Sequence, residues 1–261
     1  MIKQNMKILA IGDVVGSIGC RHLRDKLPSL KKAEKIDMVI ANGENSADGN
    51  GITPTSAQYL FSSGVDIITG GNHSFRRRES YQYYDNSPFL LRPANYPDST
   101  TPGHGQAVFD MGRIRVGVIN LLGCMFLDSL EDPFRTADKI IKELNTPITI
   151  VDFHAEATAE KRALGFYLDG RVSAVFGTHT HVQTADEQIL EKGTGYITDV
   201  GMTGTISSVL GVKSELAISK FRDKLPVRFD LADGKCCMDC ILYDINEKNG
   251  KTLAIKRMKI V

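Results

Sequence analysis

Five short apolar runs recur along the chain, and each one ends in residue types that commonly bind metals or transfer protons. The runs are four to six residues long, and they lie at 8–11, 38–41, 65–69, 148–153 and 172–176. Their near-continuous apolar character is typical of buried parallel strands. In α/β sheets, ligands gather beyond the carboxyl ends of the strands. We therefore expect the five strand ends to share one pocket.

The side chains at these strand ends are carboxylates, amides and imidazoles. The chain has six histidines, and four of them stand at these ends. The complete set is Asp13, Glu44, Asn45, Asn72, His73, His154, His179 and His181. Oxygen and imidazole ligands suit iron, manganese or zinc. Because no cysteine is among them, a structural thiolate zinc site is disfavoured.

The wider pattern predicts an α/β protein. Strand and helix signals alternate over the first two thirds of the chain, which favours a layered sheet. We expect helices over 17–32, 54–63, 133–144 and 155–168, a hairpin turning at Gly112-Arg113, and antiparallel strands over 227–231, 238–245 and 253–260. No linker or repeat interrupts the pattern, so a single domain spanning residues 1–261, with two packed sheets, is predicted.

Composition narrows the classes of function. The formal net charge of +1 implies no general attraction to nucleic acid or to an anionic membrane. No apolar stretch approaches the roughly 20 residues that span a bilayer. Five cysteines, an odd number, predict reduced thiols and a cytoplasmic protein. Cys236, Cys237 and Cys240 fall short of an iron–sulfur set and are interpreted as structural.

Taken together, the strand-end motifs resemble those of the metallophosphoesterase (calcineurin-like) family. They read Gly12-Asp13, Asn42-Gly43-Glu44-Asn45, Gly71-Asn72-His73 and Gly177-Thr178-His179-Thr180-His181. More narrowly, the chain resembles the bacterial YmdB-like branch, with supporting stretches at 92–97, 152–158 and 198–204. The resemblance runs from about residue 7 to the C-terminus. It implies a sandwich of two packed mixed β-sheets flanked by helices.

The resemblance also implies a role for each strand-end residue. One ion would be held by Asp13, Glu44, Asn45 and His181, and a second by Glu44, Asn72, His154 and His179. Glu44 would bridge the two ions, and His73 would be the general acid. Iron is the implied metal, with manganese or zinc as alternatives. A homo-oligomer is implied as well.

The chain departs from the wider family at two places. The common first motif, Asp-x-His, reads Asp13-Val14-Val15 here, and Glu44 replaces the usual bridging aspartate. Both changes also occur in the YmdB-like branch. Relatives often carry a tryptophan soon after the catalytic histidine, whereas this chain has none. That difference concerns substrate recognition rather than the metal site.

The resemblance implies 2′,3′-cyclic nucleotides as substrates, so the predicted function is hydrolysis of these and of other small phosphodiesters. In this hypothesis a hydroxide bridging two ions attacks phosphorus, and His73 protonates the departing ribose oxygen. Two alternatives stay open: a phosphomonoesterase or 5′-nucleotidase, and a regulatory scaffold that binds a nucleotide or RNA without turnover. A small phosphodiester is the expected partner, with no membrane and no stably bound nucleic acid.

Several charged residues beside the motifs have a simpler interpretation. Arg76-Arg77-Arg78 is predicted to form a solvated helix face, with contact to a phosphate or to RNA as the alternative. Glu156 and Glu160 are predicted to be helix-surface charges.

Overall fold

Two mixed β-sheets pack face to face in the computed structural model, which describes residues 5–261. The seven-stranded sheet contains β1 (Asn5–Ile11), β2 (Asp13–Val14), β3 (Met38–Asn42), β4 (Ile67–Thr69), β11 (Met202–Thr205), β12 (Cys236–Asn246) and β13 (Thr252–Ile260). The six-stranded sheet contains β5 (Gln106–Asp110), β6 (Arg115–Leu122), β7 (Ile148–His154), β8 (Ala174–Thr178), β9 (Gln188–Ile189) and β10 (Gly195–Ile197). The predicted α/β sandwich is confirmed.

Within residues 5–261, the helices flank the two sheets or lie in the connections between strands. They are α1 (Gly16–Glu34), α2 (Pro54–Ser62), α3 (Tyr81–Asn86), α4 (Pro133–Leu144), α5 (Thr158–Tyr167) and α6 (Ser214–Asp223). Local signals set two of their starts. Thr53 and Ser56 form a reciprocal capping box at α2, and the Asp132 side chain caps α4. Each of these helices begins with a proline, which suits a first turn.

Three apolar layers hold the sandwich together. The central layer lies between the sheets and includes Ile8, Ile40 and Phe176. A second layer packs α1 and α2 against the first sheet, and a third packs α4 and α5 against the second sheet. Burial of such apolar surface is the dominant favourable term in folding.

Strand direction decides where the site lies. In the first sheet β1, β3 and β4 are parallel neighbours, and in the second sheet β6, β7 and β8 are parallel neighbours. The five predicted runs belong to β1, β3, β4, β7 and β8. Their carboxyl ends therefore meet at one end of the sandwich.

The predicted elements are confirmed with one clear exception. The hairpin of β5 and β6 forms as expected, and Gly112 adopts the positive φ of 75° that its turn needs. Residues 227–231 do not form a strand, because only Leu231 pairs, in an isolated bridge with Val212. Helix α6 was not predicted. It buries only Ala217 and leaves Ile218 and Phe221 exposed, so its apolar residues do not form a stripe that faces the core.

Smaller predictions have mixed outcomes. Helix α5 begins at Thr158, three residues later than the pattern indicated. Cys236, Cys237 and Cys240 are free and buried on β12, as their structural interpretation predicts. Within residues 5–261, no helix is long and apolar enough to cross a membrane. That residues 1–261 form a single domain stays a prediction.

Candidate metal centre

Three side chains, drawn from both sheets, converge on one ring nitrogen of His154. Its Nε2 lies 3.0 Å from Asn72 Oδ1, 3.0 Å from His179 Nδ1 and 3.3 Å from Glu44 Oε1. Ligand atoms bound at about 2.1 Å to a tetrahedral ion lie about 3.4 Å from one another. Glu44, His154 and His179 are also the residues whose ligand atoms all lie within 4.8 Å of one another. These spacings fit a metal ion.

A second group lies beside the first. Asp13 Oδ1 lies 3.6 Å from His181 Nε2, and Asn45 Nδ2 lies 3.4 Å from the same nitrogen. Asn45 Nδ2 also donates to Glu44 Oε1 at 3.0 Å, while its Oδ1 lies 2.9 Å from His73 Nδ1. The amide oxygen of Asn45 therefore faces His73. The predicted ligand role requires that oxygen to face His181, so the side-chain amide must flip to exchange its oxygen and nitrogen.

A buried relay fixes the tautomer of His154. The Thr178 hydroxyl donates to Asp152 Oδ1 at 2.7 Å and lies 2.9 Å from His154 Nδ1. Because that hydroxyl proton is used on Asp152, the hydroxyl oxygen accepts the Nδ1 proton of His154. In the neutral imidazole, the Nε2 lone pair is then directed at the oxygen of Asn72. Two acceptors facing each other favour a cation between them, and such outer partners commonly orient metal-binding histidines.

The other oxygen of Asp152 is held from the opposite sheet. Thr69 Oγ1 donates to Asp152 Oδ2 at 2.5 Å, and Asn42 Nδ2 donates to it at 3.1 Å. Burial raises the pKa of Asp152 to about 6, against the hydrogen bonds that lower it. At neutral pH the group is therefore a carboxylate, and it accepts the hydrogen bonds from Thr178, Thr69 and Asn42.

The electrostatics of the centre favour positive charge. Burial alone would raise the pKa of Glu44, but His154 and His73 outweigh it and hold that pKa well below its usual range. Burial alone would lower the pKa of His154, but Glu44 and Asp13 raise it to about 9. For His179, burial and the neighbouring His154 lower the pKa to about 4. Asp13 likewise raises the pKa of His181 against the effect of burial, so positive charge is stabilised beside the two carboxylates.

Two further observations fit a bound ion. Asp13 Oδ1 is fully buried and has no hydrogen-bond partner within residues 5–261, an arrangement that costs free energy unless a ligand fills it. A Cβ at Gly71 would lie 2.3 Å from Glu44 Oε2 and 2.4 Å from His154 Nε2. Only glycine therefore lets the chain pass this close to the ligand atoms.

The turn that carries His179 and His181 is anchored from behind. Both histidines have positive φ, 100° and 63°, which is uncommon for residues with a side chain. The buried Lys161 donates to Thr178 O at 2.7 Å and to Asp199 Oδ2 at 2.6 Å. Asp199 in turn accepts the backbone N–H of Thr180 at 3.1 Å. This ion pair holds the strained turn in place.

A cavity of about 820 Å³ opens over the centre. One wall carries Glu44, Asn45, His73, His179 and His181. Another wall is apolar and includes Leu210, Val212, Phe229 and Leu231, with Arg228 among them. Loop residues 47–50 form a third side. The volume is that of an ordinary small-molecule site.

The simple interpretation of the neighbouring charges agrees with the exposure of Arg76 and Arg78, but it is wrong for Arg77 and Glu156. Arg77 lies outside any α-helix and lines the cavity, donating to the carbonyls of Asp48 (2.6 Å) and Asn50 (3.0 Å). Glu156 Oε2 lies 3.0 Å from His179 Nε2, and Glu160 accepts the N–H of Cys124 at 2.8 Å. Nothing in the sequence pattern marks these contacts, because they join side chains to loops rather than to a periodic face.

Every residue predicted for the site thus lies at the centre or in direct contact with it.

The sequence of the whole chain identifies its family. A family model described as YmdB-like protein matches residues 9–258. The chain belongs to the YmdB-like family. The resemblance drawn from the strand-end motifs is confirmed.

Relatives within the YmdB-like family match nearly the whole chain. A Bacillus subtilis protein named 2′,3′-cyclic-nucleotide 2′-phosphodiesterase is 49% identical over 257 residues, covering 98% of this chain and 97% of that one. A crystal structure of a hypothetical protein from Thermus thermophilus has a TM-score of 0.92 at 40% identity, covering 97% and 98% of the two chains. A Mycoplasma pneumoniae structure, described as a novel phosphatase, has a TM-score of 0.94 at 32% identity, covering 100% and 95%.

Proposed function

We propose that this protein hydrolyses 2′,3′-cyclic nucleotides at the cavity, with two metal ions held by the strand-end residues. The observation that carries the proposal is the convergence of Glu44, Asn72 and His179 on His154 Nε2, beside a buried Asp13 oxygen that has no hydrogen-bond partner within residues 5–261. The Bacillus subtilis relative, 49% identical and named for this activity, supports the choice of substrate.

Each ion has a proposed set of ligands. Asp13, Glu44, Asn45 and His181 hold one ion, and Glu44, Asn72, His154 and His179 hold the other. Iron is the proposed metal, with manganese or zinc as alternatives that the same ligand types accept. Bound in this way, two ions supply Lewis acidity toward the phosphate and activation of the nucleophile.

His73 is the proposed general acid. Its backbone N–H donates to Glu44 Oε2 at 2.8 Å, and its Nδ1 lies 2.9 Å from Asn45 Oδ1, so two contacts orient the ring in the cavity wall. In the imidazolium form, Glu44 Oε1, which lies 3.1 Å from Nδ1, accepts the Nδ1 proton, and the Nε2 proton is the one to be donated. That proton goes to the departing ribose oxygen, which is otherwise a poor leaving group.

The neighbouring residues keep the site in shape. Asp152 and Thr178 hold the Nε2 of His154 toward the centre, and Lys161 holds the turn of the two other histidines. Arg77 fixes loop 47–50 at the side of the cavity. A cytoplasmic location and a homo-oligomeric state remain predictions.

Metal analysis and hydrolysis assays on one preparation of the purified protein test the proposal. Elemental analysis of the purified protein is expected to give about two ions per chain. The same metal-loaded protein should hydrolyse 2′,3′-cyclic AMP in preference to AMP. A preference for AMP would favour the phosphomonoesterase alternative, and binding of the cyclic nucleotide without hydrolysis would favour the scaffold. One ion or fewer per chain would overturn the dinuclear centre.

A further inference from the structure

The segment between β11 and β12, residues 206–235, forms the apolar wall of the cavity. We call it the excursion. It concentrates exposed large apolar side chains, which are Ile206, Leu210, Ile218, Phe221, Leu225 and Phe229. Isolated exposed apolar residues are ordinary, but a concentrated patch beside a polar pocket indicates binding.

The excursion is tied directly to the polar wall. His181 Nδ1 lies 3.0 Å from the carbonyl oxygen of Leu210. Val212 pairs with both Val209 and Leu231, and the N–H of Lys213 donates to Asp230 O at 3.0 Å. These contacts place the apolar wall beside the proposed ligands in the same cavity, so one substrate molecule can touch both walls.

The two walls differ in chemistry in the way that the parts of a nucleotide differ. The wall with Glu44 and the histidines suits a phosphate held by cations. Phe229 lines the other side and is 38% exposed, with Lys220 Nζ 5.0 Å from its ring centroid. Arg228 lines the cavity next to it. Aromatic rings and guanidinium planes are the groups on which nucleobases stack.

We propose that Phe229, with Leu210 and Arg228 beside it, binds the nucleobase of the substrate. This inference rests on the proposed function, since it assigns the second half of the same cavity. Stacking on a ring requires only a flat π-face, so the subsite accepts every base. The larger purines gain more contact than the pyrimidines.

The kinetic test compares a substrate that has a base with one that lacks it. The substrates are 2′,3′-cyclic AMP and 1-O-methylribose 2′,3′-cyclic phosphate, both with metal-loaded protein. Phe229→Ala should raise KM for cyclic AMP about tenfold, because stacking contributes about 1–3 kcal/mol per base. It should leave kcat, and both constants for the base-free substrate, within about twofold. Phe229→Trp should restore the KM for cyclic AMP.

Phe221→Ala is the matched control. Phe221 lies in the same excursion, on α6, is 66% exposed and is absent from the cavity lining. It should leave both substrates unaffected. Equal losses on both substrates in Phe229→Ala, or no loss on either, would overturn the nucleobase subsite. So would a change in molar mass in solution that accounts for the loss, because the excursion would then be a contact between copies.

A binding measurement separates this inference from the proposed function. Adenosine, which has no phosphate, should show saturation transfer from the protein in NMR, and the transfer should vanish in Phe229→Ala and persist in Phe221→Ala. If adenosine binds in this way but no cyclic phosphate is hydrolysed, the proposed function fails and the subsite stands. If both cyclic substrates are hydrolysed equally well and adenosine does not bind, the subsite fails and the function stands.

Discussion

The two walls of the cavity are built in opposite ways. The polar wall consists of side chains at the ends of buried strands, and its members contact one another at 2.8–3.6 Å. The excursion contacts the sandwich through few backbone hydrogen bonds and leaves its large side chains exposed. The comparison indicates that the protein separates a rigid part suited to chemistry from a looser part suited to recognition.

The largest effect is expected at the polar wall. Glu44→Gln keeps the volume of the side chain and removes its charge, so both ions should be lost and turnover should fall to background. Elemental analysis and hydrolysis of 2′,3′-cyclic AMP measure the two effects. Glu143→Gln, at an exposed position of α4, is the control and should behave like the wild type. Full metal content in Glu44→Gln would contradict the bridging role.

His73→Ala should separate chemistry from metal binding on the same wall. Removing a general acid lowers kcat by about 10²–10⁴. Metal content should stay at the wild-type level, since His73 is not one of the proposed ligands. His104→Ala, at an exposed loop position, is the control. A parallel loss of metal would show that His73 is a ligand.

Lys161→Met should show how firmly the wall is anchored. The change leaves Asp199 charged and buried without its cation, a defect that costs about 3–5 kcal/mol. Urea unfolding measures this loss. The double variant Lys161→Met/Asp199→Asn should recover part of it, because no uncompensated charge remains. No recovery in the double variant would mean that packing, rather than charge, is what Lys161 provides.

The smallest effect is expected in the excursion. Phe221→Ser should change the free energy of unfolding by less than about 0.5 kcal/mol, as is usual for exposed positions. The same urea titration measures it. A loss as large as that of Lys161→Met would show that α6 is covered in solution, as a homo-oligomer would require. The excursion would then no longer be the looser, exposed part of the cavity.

The same contrast explains which features the sequence predicts. Buried parallel strands need continuous apolar runs, so β3 and β7 can be predicted from the sequence. The polar residues that follow them must then lie at one edge of the sheets. Helix α6 cannot be predicted in this way, because it buries only Ala217 and so has no core-facing stripe. The amide orientation of Asn45 and the contact of Glu156 with His179 depend on loops that meet only in the folded chain.

The carboxylate of Asp152 has a consequence for the alignment of the two sheets. It belongs to β7, yet Asn42 and Thr69 of the facing sheet both donate to it across an otherwise apolar layer. Sliding one sheet over the other would break these bonds in a region that water cannot reach. Four of the seven proposed ligands come from the first sheet and three from the second, so this one side chain sets how far apart the two parts of the centre lie.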